Sequence, residues 1–293
     1  MSGQLKEVRN RIQSVQSTQQ ITKAMKMVSA AKLRRAQEAI IQMRPYAQKL
    51  QEMLSNIISN SDGDVSLKLA EERPVEKVLL IVITSDRGLC GAYNSNIVKL
   101  AKTVIEERYQ KQKDKGNITI WNIGKKGWEN FSKSGFHTDD TYKDIFLDLT
   151  FENVQAASLA AMKAFENKEF DLVEIIYSEF KNAATQEFIA ERFVPIPRIA
   201  KKPGAKNEDF IFEPEKEVLI AELIPKILNT QLYKAVLDAN ASEHGARMTA
   251  MDKASDNANE LLKTLRISYN RARQAAITTE LTEIVSGAAA LQG

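Results

Sequence analysis

The chain has 293 residues, 43% hydrophobic and 27% charged, and its 41 Lys and Arg against 38 Asp and Glu leave a net charge of +3. That balance excludes an intrinsically disordered chain and one built throughout for nucleic acid. The 7% aromatic content, with 12 Gly and 7 Pro, is too lean for the many turns of an all-β protein and suits long helices.

The N-terminus, Met1 to Lys6, has no apolar signal core and leads straight into a helical pattern, as expected of a cytosol-facing or already processed chain. Residues 1–60 hold ten Lys or Arg against Glu7, Glu38 and Glu52, a net charge of +7. Apolar residues recur at Leu5, Val8, Ile12 and Val15, and again at Ala36, Ile40, Met43, Ala47, Leu50, Leu54 and Ile57, all in one heptad register. Between the two runs Gln19, Thr22, Lys26 and Ser29 occupy that register, so the seam is expected to weaken there. Ile21, Met25 and Val28 point to another face. Pro45 lies inside the pattern and predicts a local bend. At 1.5 Å per residue the helix over 4–58 would be roughly 80 Å long.

Residues 61–75 carry the Gly and Pro breakers of a linker, and 201–217 repeat them, which bounds a middle domain over 76–200. Its first strand is the continuous apolar run Val78 to Thr84, the pattern of a strand buried on both faces of a parallel sheet. Ser85 to Tyr93 form the following loop. A helix near 94–110, a strand at 118–123, helices near 126–134 and 151–167, and strands near 172–179 and 186–194 complete a small α/β, Rossmann-like layout.

The last segment, 218–293, keeps a heptad through Met248, Met251, Ala258, Leu262, Leu265, Tyr269, Ala272 and Ala276, with Ser255 its polar interruption. Ile277, Leu281, Ile284, Ala288 and Leu291 continue one position out of phase. Gly245 interrupts this helix at about 1 kcal/mol relative to Ala, which predicts a close approach or a weak point. The fold class is therefore α/β plus long helices: an antiparallel two-helix coiled coil formed by the N- and C-terminal helices, with a central Rossmann-like α/β domain.

The glycine loop with Gly88 and Gly91 resembles a phosphate cradle by position. It lacks the lysine and hydroxyl of a P-loop and the spacing of a dinucleotide fingerprint, and Gly124-Lys125-Lys126-Gly127 fails the same tests. The glycines are read as permitting a tight turn, and no cofactor is expected on this chain. Cys90 is the only cysteine and is read as a buried or half-buried structural thiol. His137 and His244 are read as a loop residue and a helix-surface residue, so no metal site is expected. The basic N-terminal helix could suit nucleic acid, but its apolar seam runs through the basic stretch itself. An α/β nucleotide-binding enzyme and a basic coiled-coil nucleic-acid binder remain as alternative readings.

Five stretches then identify a family. They are Ile21 to Val28 with Arg44 to Ala47, Ser85 to Gly91, Ala241 to Glu243 with Ala246 to Met248, Tyr269 to Glu280, and Ile284 to Ala290. In this order, and end to end, they resemble the gamma subunit of the F-type rotary ATP synthase. The resemblance implies a non-catalytic rotor shaft in a bacterial complex, coupling proton-driven rotation of the membrane c-ring to catalytic sites on the beta subunits. Its implied partners are the alpha and beta subunits in a 3:3:1 complex, the epsilon subunit and the c-ring. Its implied location is peripheral, on the cytoplasmic face of the bacterial plasma (inner) membrane, with no direct membrane span and no nucleic acid. Lys23, Met25, Lys26, Arg247, Arg273, Gln274 and Thr278 are implied coupling or partner-contact residues, with Lys23 and Lys26 expected to be free for acidic loops of a surrounding ring. Asp86, Arg87, Gly88, Cys90 and Gly91 form the implied loop motif. One cysteine cannot make the dithiol switch of chloroplast relatives.

Overall fold

A computed structural model of the chain describes residues 2–59, 68–183, 185–196 and 216–292. The linker stretches expected at 61–67 and 201–215 lie outside the described residues, as do the side chains of the expected seam residues Leu54, Ile57 and Leu291. The chain forms two compact units, one of Met1–Ser29 with Met248–Gly293 and the other of Ala30–Arg247. The division falls inside the two terminal helices rather than at their ends. The inner parts of both helices contribute to the core of the α/β unit, through Leu50 of α1 (Ser2–Ser59) and Leu228, Leu232 and Val236 of α6 (Lys216–Gln292).

In the first unit α1 and α6 run antiparallel. Moving up α1, Gln19 meets Asn259, Thr22 meets Ser255 and Lys26 meets Asp252, so an advance on one helix is matched by a retreat on the other. Ala258, Leu262 and Leu265 are buried in this seam, as the heptad predicts. The helix α1 continues through Pro45 to Ser59.

The second unit is a five-stranded sheet in the order β3-β2-β1-β4-β5. Its strands are β1 (Val78–Ile83), β2 (Ile118–Ile123), β3 (His137–Asp139), β4 (Leu172–Phe180) and β5 (Gln186–Val194). The first four are mutually parallel, and β5 pairs antiparallel with β4. Only residues 181–185 separate those two, too few for a crossover, so a hairpin is the available connection. The continuous apolar run of β1 follows from cover on both faces. Leu79, Ile81 and Ile83 pack with Val154 and Phe165 of α5 (Phe151–Glu166) and with α6. Val78, Leu80 and Val82 pack with Ile97 and Ile105 of α2 (Tyr93–Arg108) and with Phe131, the last residue of α4 (Lys125–Phe131). A short α3 (Gln110–Asp114) and the three-residue β3 add to the elements read from sequence. His137, read as a loop residue, opens β3 at the sheet edge and is exposed.

The close approach expected at Gly245 is present, since a Cβ there would stand 3.2 Å from both Cα and carbonyl oxygen of Ala183. His244, expected on the helix surface, is instead 9% exposed. All five residues from Ala241 to Gly245 are buried, because this part of α6 is enclosed by the α/β unit. Burial, with Arg247 and Lys32 nearby, lowers the His244 imidazole to about 4 and keeps it neutral.

The expected first linker is partly built into this unit. Leu69 is buried in its core, and Arg73 is anchored beside it. Arg73 Nε donates to Asp171 Oδ1 at 2.7 Å, its Nη2 donates to the carbonyls of Phe165 and Phe170, and its guanidinium lies 4.3 Å from the Phe165 ring centre. Asp171 also accepts the N–H groups of Glu76 and Lys77. Burial by itself would raise this carboxyl, but the Lys77 N–H, the Arg73 guanidinium and the Glu76 N–H outweigh it and hold it below the ordinary Asp value. Removing Arg73 leaves a mostly buried charge and the Phe170 carbonyl without its donor, while the Phe165 carbonyl keeps the Lys168 N–H. Arg73→Met is expected to lower the unfolding free energy at pH 7 by about 3 kcal/mol in urea titrations. The difference should shrink on acidification, since a carboxyl with a depressed folded value loses its stabilising contribution as pH falls through that value.

Candidate functional site

The residues implied for coupling fall into three settings. The first is the polar stretch of the α1–α6 seam. Thr22, Ser29 and Ser255 are buried there, and Thr22 Oγ1 lies 2.7 Å from Ser255 Oγ. Both hydroxyls also face backbone carbonyls, Thr22 toward Gln19 at 3.0 Å and Ser255 toward Met251 at 2.8 Å. Two protons thus serve three acceptors, and either oxygen can donate across the seam. Gln19 Nε2 donates to Asn259 Oδ1 on one side, and Lys26 pairs with Asp252 on the other.

The seam therefore does not weaken into free polar groups. Lys26, expected to be free, is committed to Asp252 because it stands at a seam position with a carboxylate opposite. Lys23 is exposed, and Met25 is half-buried between the seam and the outer face. Ile21, Met27 and Val28 leave that outer face apolar and open.

The second setting is the C-terminal part of α6. Arg273, Gln274 and Thr278 are all exposed. Thr278 Oγ1 donates back to the Gln274 carbonyl at 2.9 Å, and Thr282 and Ser286 repeat this pattern at 2.8 Å. These hydroxyls are satisfied within the helix, so the outward-reaching polar groups are Arg273 and Gln274. Ile277, Leu281, Ile284 and Val285 follow them as exposed apolar residues.

The third setting is the loop after β1, inside the α/β unit. Ser85 Oγ donates to the Arg87 carbonyl at 2.7 Å, and Asn94 closes the loop from α2 by accepting the Ser85 N–H at 3.0 Å and donating to Cys90 Sγ at 3.3 Å. Arg247 of α6 holds the tip. Its Nη2 donates to the carbonyls of Arg87 at 2.9 Å and Gly88 at 3.2 Å, and its Nη1 donates to Glu243 one turn earlier. Burial raises the Glu243 carboxyl, and the adjacent Arg247 opposes that rise. Positive φ falls on Leu89 and Gly91 rather than on Gly88, and Leu89 stands 66% exposed. Cys90 is buried beneath it, and burial raises its thiol above the ordinary value.

Arg247 and the loop motif are thus brought together, with Arg247 as the residue that positions the loop and Arg87 and Leu89 as the side chains presented outward. Glu243, Asn94 and Asp252 were not singled out as site residues from sequence. The Glu243–Arg247 spacing of four on a helix was the one local signal available.

The carboxyl ends of β1 and β2, where α/β folds place nucleotides, are filled by the chain itself. Gly124 (φ 102°) lies so close to Thr84 that a Cβ would come within 2.3 Å of its carbonyl oxygen. The first N–H groups of α4 are engaged: Lys125 N–H by Asp86 at 3.3 Å, Lys126 N–H by the Ser85 carbonyl at 3.0 Å, and Gly127 N–H by Thr84 Oγ1 at 2.8 Å. Burial raises the Asp86 carboxyl, with the Lys125 N–H and side chain acting against that rise.

The sequence profile of the ATP synthase family matches residues 4–291. The ATP synthase gamma chain of Cytophaga hutchinsonii is 53% identical over 290 residues, covering 98% of each chain. This chain belongs to the ATP synthase gamma-chain family. The gamma chain of Flavobacterium johnsoniae is 52% identical over 289 residues, with 99% of each chain covered. Among solved structures, a chain of the rotor of Euglena gracilis mitochondrial ATP synthase superimposes with a TM-score of 0.64 at 21% identity, covering 94% of this chain and all of that one. A chain from the OSCP/F1/c-ring structure of the same enzyme gives 0.67 at 19% identity, with 99% and 95% covered. At those identities the structural matches show a shared fold and nothing more.

If Arg247 positions the loop, its loss should expose the thiol beneath. Arg247→Met is expected to raise the rate at which Cys90 reacts with a disulfide reagent by about tenfold, with the helical content retained. An unchanged rate would show that Ser85 and Asn94 suffice to hold the loop.

Proposed function

We propose that this chain is the central rotor shaft of an F-type ATP synthase, passing proton-driven rotation of a membrane c-ring to catalytic sites carried by beta subunits. The observation that carries the reading is the register-locked antiparallel pairing of the two chain ends, in a sequence 53% identical from end to end to a bacterial ATP synthase gamma chain. A shaft acts by orientation. It must be stiff, it must be asymmetric, and its surface must engage a partner that has several discrete states.

In this reading the chain is non-catalytic and holds no cofactor or metal of its own. The engaged N–H groups at the start of α4 support that, and they argue against the alternative of a nucleotide-binding α/β enzyme. The apolar seam running through the basic N-terminal stretch likewise argues against a nucleic-acid reader. The partners would be alpha and beta subunits in a 3:3:1 complex, an epsilon subunit and the c-ring. The location would be peripheral, at the cytoplasmic face of a bacterial plasma membrane; among the described residues no helix is long and apolar enough to cross it.

Contact with the catalytic subunits falls to Arg273 and Gln274, which are exposed, with Lys23 and Met25 on the opposing helix. Thr278 would act through its neighbours, since its hydroxyl is turned back to Gln274. Lys26 would act inside the shaft by fixing register, and Arg247 by presenting Arg87 and Leu89.

Co-expression with the cognate alpha and beta subunits, and purification through a tag on this chain, should yield a 3:3:1 complex that hydrolyses ATP while the lone chain does not. Failure to assemble, or hydrolysis by the lone chain, would overturn the reading. Within that complex a charge-assisted contact of about 1.5–3 kcal/mol is at stake at Arg273. Arg273→Ala is expected to reduce coupled turnover about tenfold without loss of assembly, and normal coupled turnover in this variant would remove Arg273 from the coupling contact.

A further inference from the structure

Within the α/β unit, Met43 and Arg44 of α1, Glu179 near the end of β4, and Lys234, Leu237 and Asp238 of α6 line a partly open cavity of about 350 Å³. Asp238 is 2% exposed, and its carboxylate accepts the backbone N–H of Phe180. The salt bridges among the described residues do not include it. Glu179, the other acid lining the cavity, is held by Lys181 at 2.8 Å. The cations on the cavity wall, Lys234 on its own helix and Arg44 on α1, stand off from it.

A carboxylate withdrawn from water without an ion pair is costly, and it meets that cost by keeping a proton or by admitting water. Here both routes exist, because polar side chains line the cavity from α1, β4 and α6 and it is large enough for several waters. We propose that Asp238 is a proton-sensitive latch: protonated, it lets the Ile40–Gln48 stretch of α1 close over it, and ionised, it draws water into the cavity and loosens that stretch. The titratable groups that face it are Lys234, Arg44, Glu179 and Tyr177 of β4, whose phenol burial keeps neutral. Lys234 and Arg44 favour the ionised form with the Phe180 N–H, while burial and Glu179 favour the neutral form. Burial is the largest of these and pushes the carboxyl up to about 6.

The sign of the pH dependence follows. A group whose closed-state value lies above its hydrated value of 3.8 stabilises closure most fully below that lower value, and the advantage is lost as pH rises through about 6. An amide in place of the acid cannot ionise and should stay closed. This latch operates in the chain itself and needs neither partner subunits nor nucleotide.

The test compares hydrogen exchange of residues 40–48 in the full-length chain and in Asp238→Asn at pH 4.5, 5.5, 6.5 and 7.5, after correction for intrinsic rates. The variant's protection relative to wild type should grow about twentyfold between pH 4.5 and 6.5 and level off above. A ratio that does not change with pH would overturn the latch. Carboxyl carbon NMR of Asp238 gives an independent reading that does not depend on that variant folding. Its midpoint should lie near 6 and move upward in Arg44→Met, which removes a cation favouring the ionised form. A wild-type midpoint near 4, or one that Arg44→Met leaves in place, would equally overturn it.

Discussion

A long helix with an apolar seam exposes that seam along its whole length, and in water it persists only where a second helix covers it. Here the cover comes from the other end of the same chain, so two segments separated by more than two hundred residues must find one register. An all-apolar seam would tolerate a slip of one heptad in either direction. The polar stretch does not: such a slip would set Thr22 against Leu262 or Met248 in place of Ser255, and would take Lys26 away from Asp252. The hydroxyl pair contributes little net stability over an apolar pair of the same shape. Its contribution lies in making the alternatives worse, the way a single polar core residue fixes register in other coiled coils.

The same α6 that ends in the coiled coil begins as a core helix of the α/β unit, and its side chains change accordingly. Leu228, Leu232, Val236 and Ala239 cover one face of the sheet. Ser242, Glu243 and Arg247 then bring polar groups into buried positions, where each finds a backbone or charged partner: Ser242 Oγ donates to the Ser178 carbonyl at 3.2 Å, and Arg247 spans Glu243 and the loop after β1. Tyr93 adds a bond from the start of α2 to the Ala239 carbonyl at 2.9 Å. The loop is thus fastened from both α2 and α6, which lets it carry an exposed leucine in a left-handed conformation without collapsing.

The elements with a long period were legible. The heptads of both ends and the unbroken apolar run of β1 state which faces are covered, and the sheet with its flanking helices follows from the run. What escaped depends on distant partners. Lys26 was placed correctly in the seam register, but nothing local to it announces Asp252, 226 positions further on, so its charge looked available. His244 sits among Ser242, Glu243 and Arg247, which read as a solvent face until the α/β unit closes around them. In the glycine loop the sequence draws the eye to Gly88, whereas the backbone asks for positive φ at Leu89, where the surrounding hydrogen bonds hold it. The three-residue β3 is too short to carry any period at all.

The heptad phase also accounts for the apolar residues left bare on α6. Up to Ala276 the apolar positions of α6 keep the register that pairs Thr22 with Ser255 and Lys26 with Asp252. Ile277, Leu281, Ile284 and Val285 follow at once, exposed by roughly half to two thirds, and the heptad shifts phase at the same place. A phase change distributes apolar side chains around the helix, which suits contact on several sides more than pairing along one. Four such residues in nine, with the hydroxyls between them turned back onto the helix, make a surface that water does not satisfy and a second helix would not complete. A surrounding ring of subunits would, and this is where the proposed rotor reading and the physics of the bare helix meet.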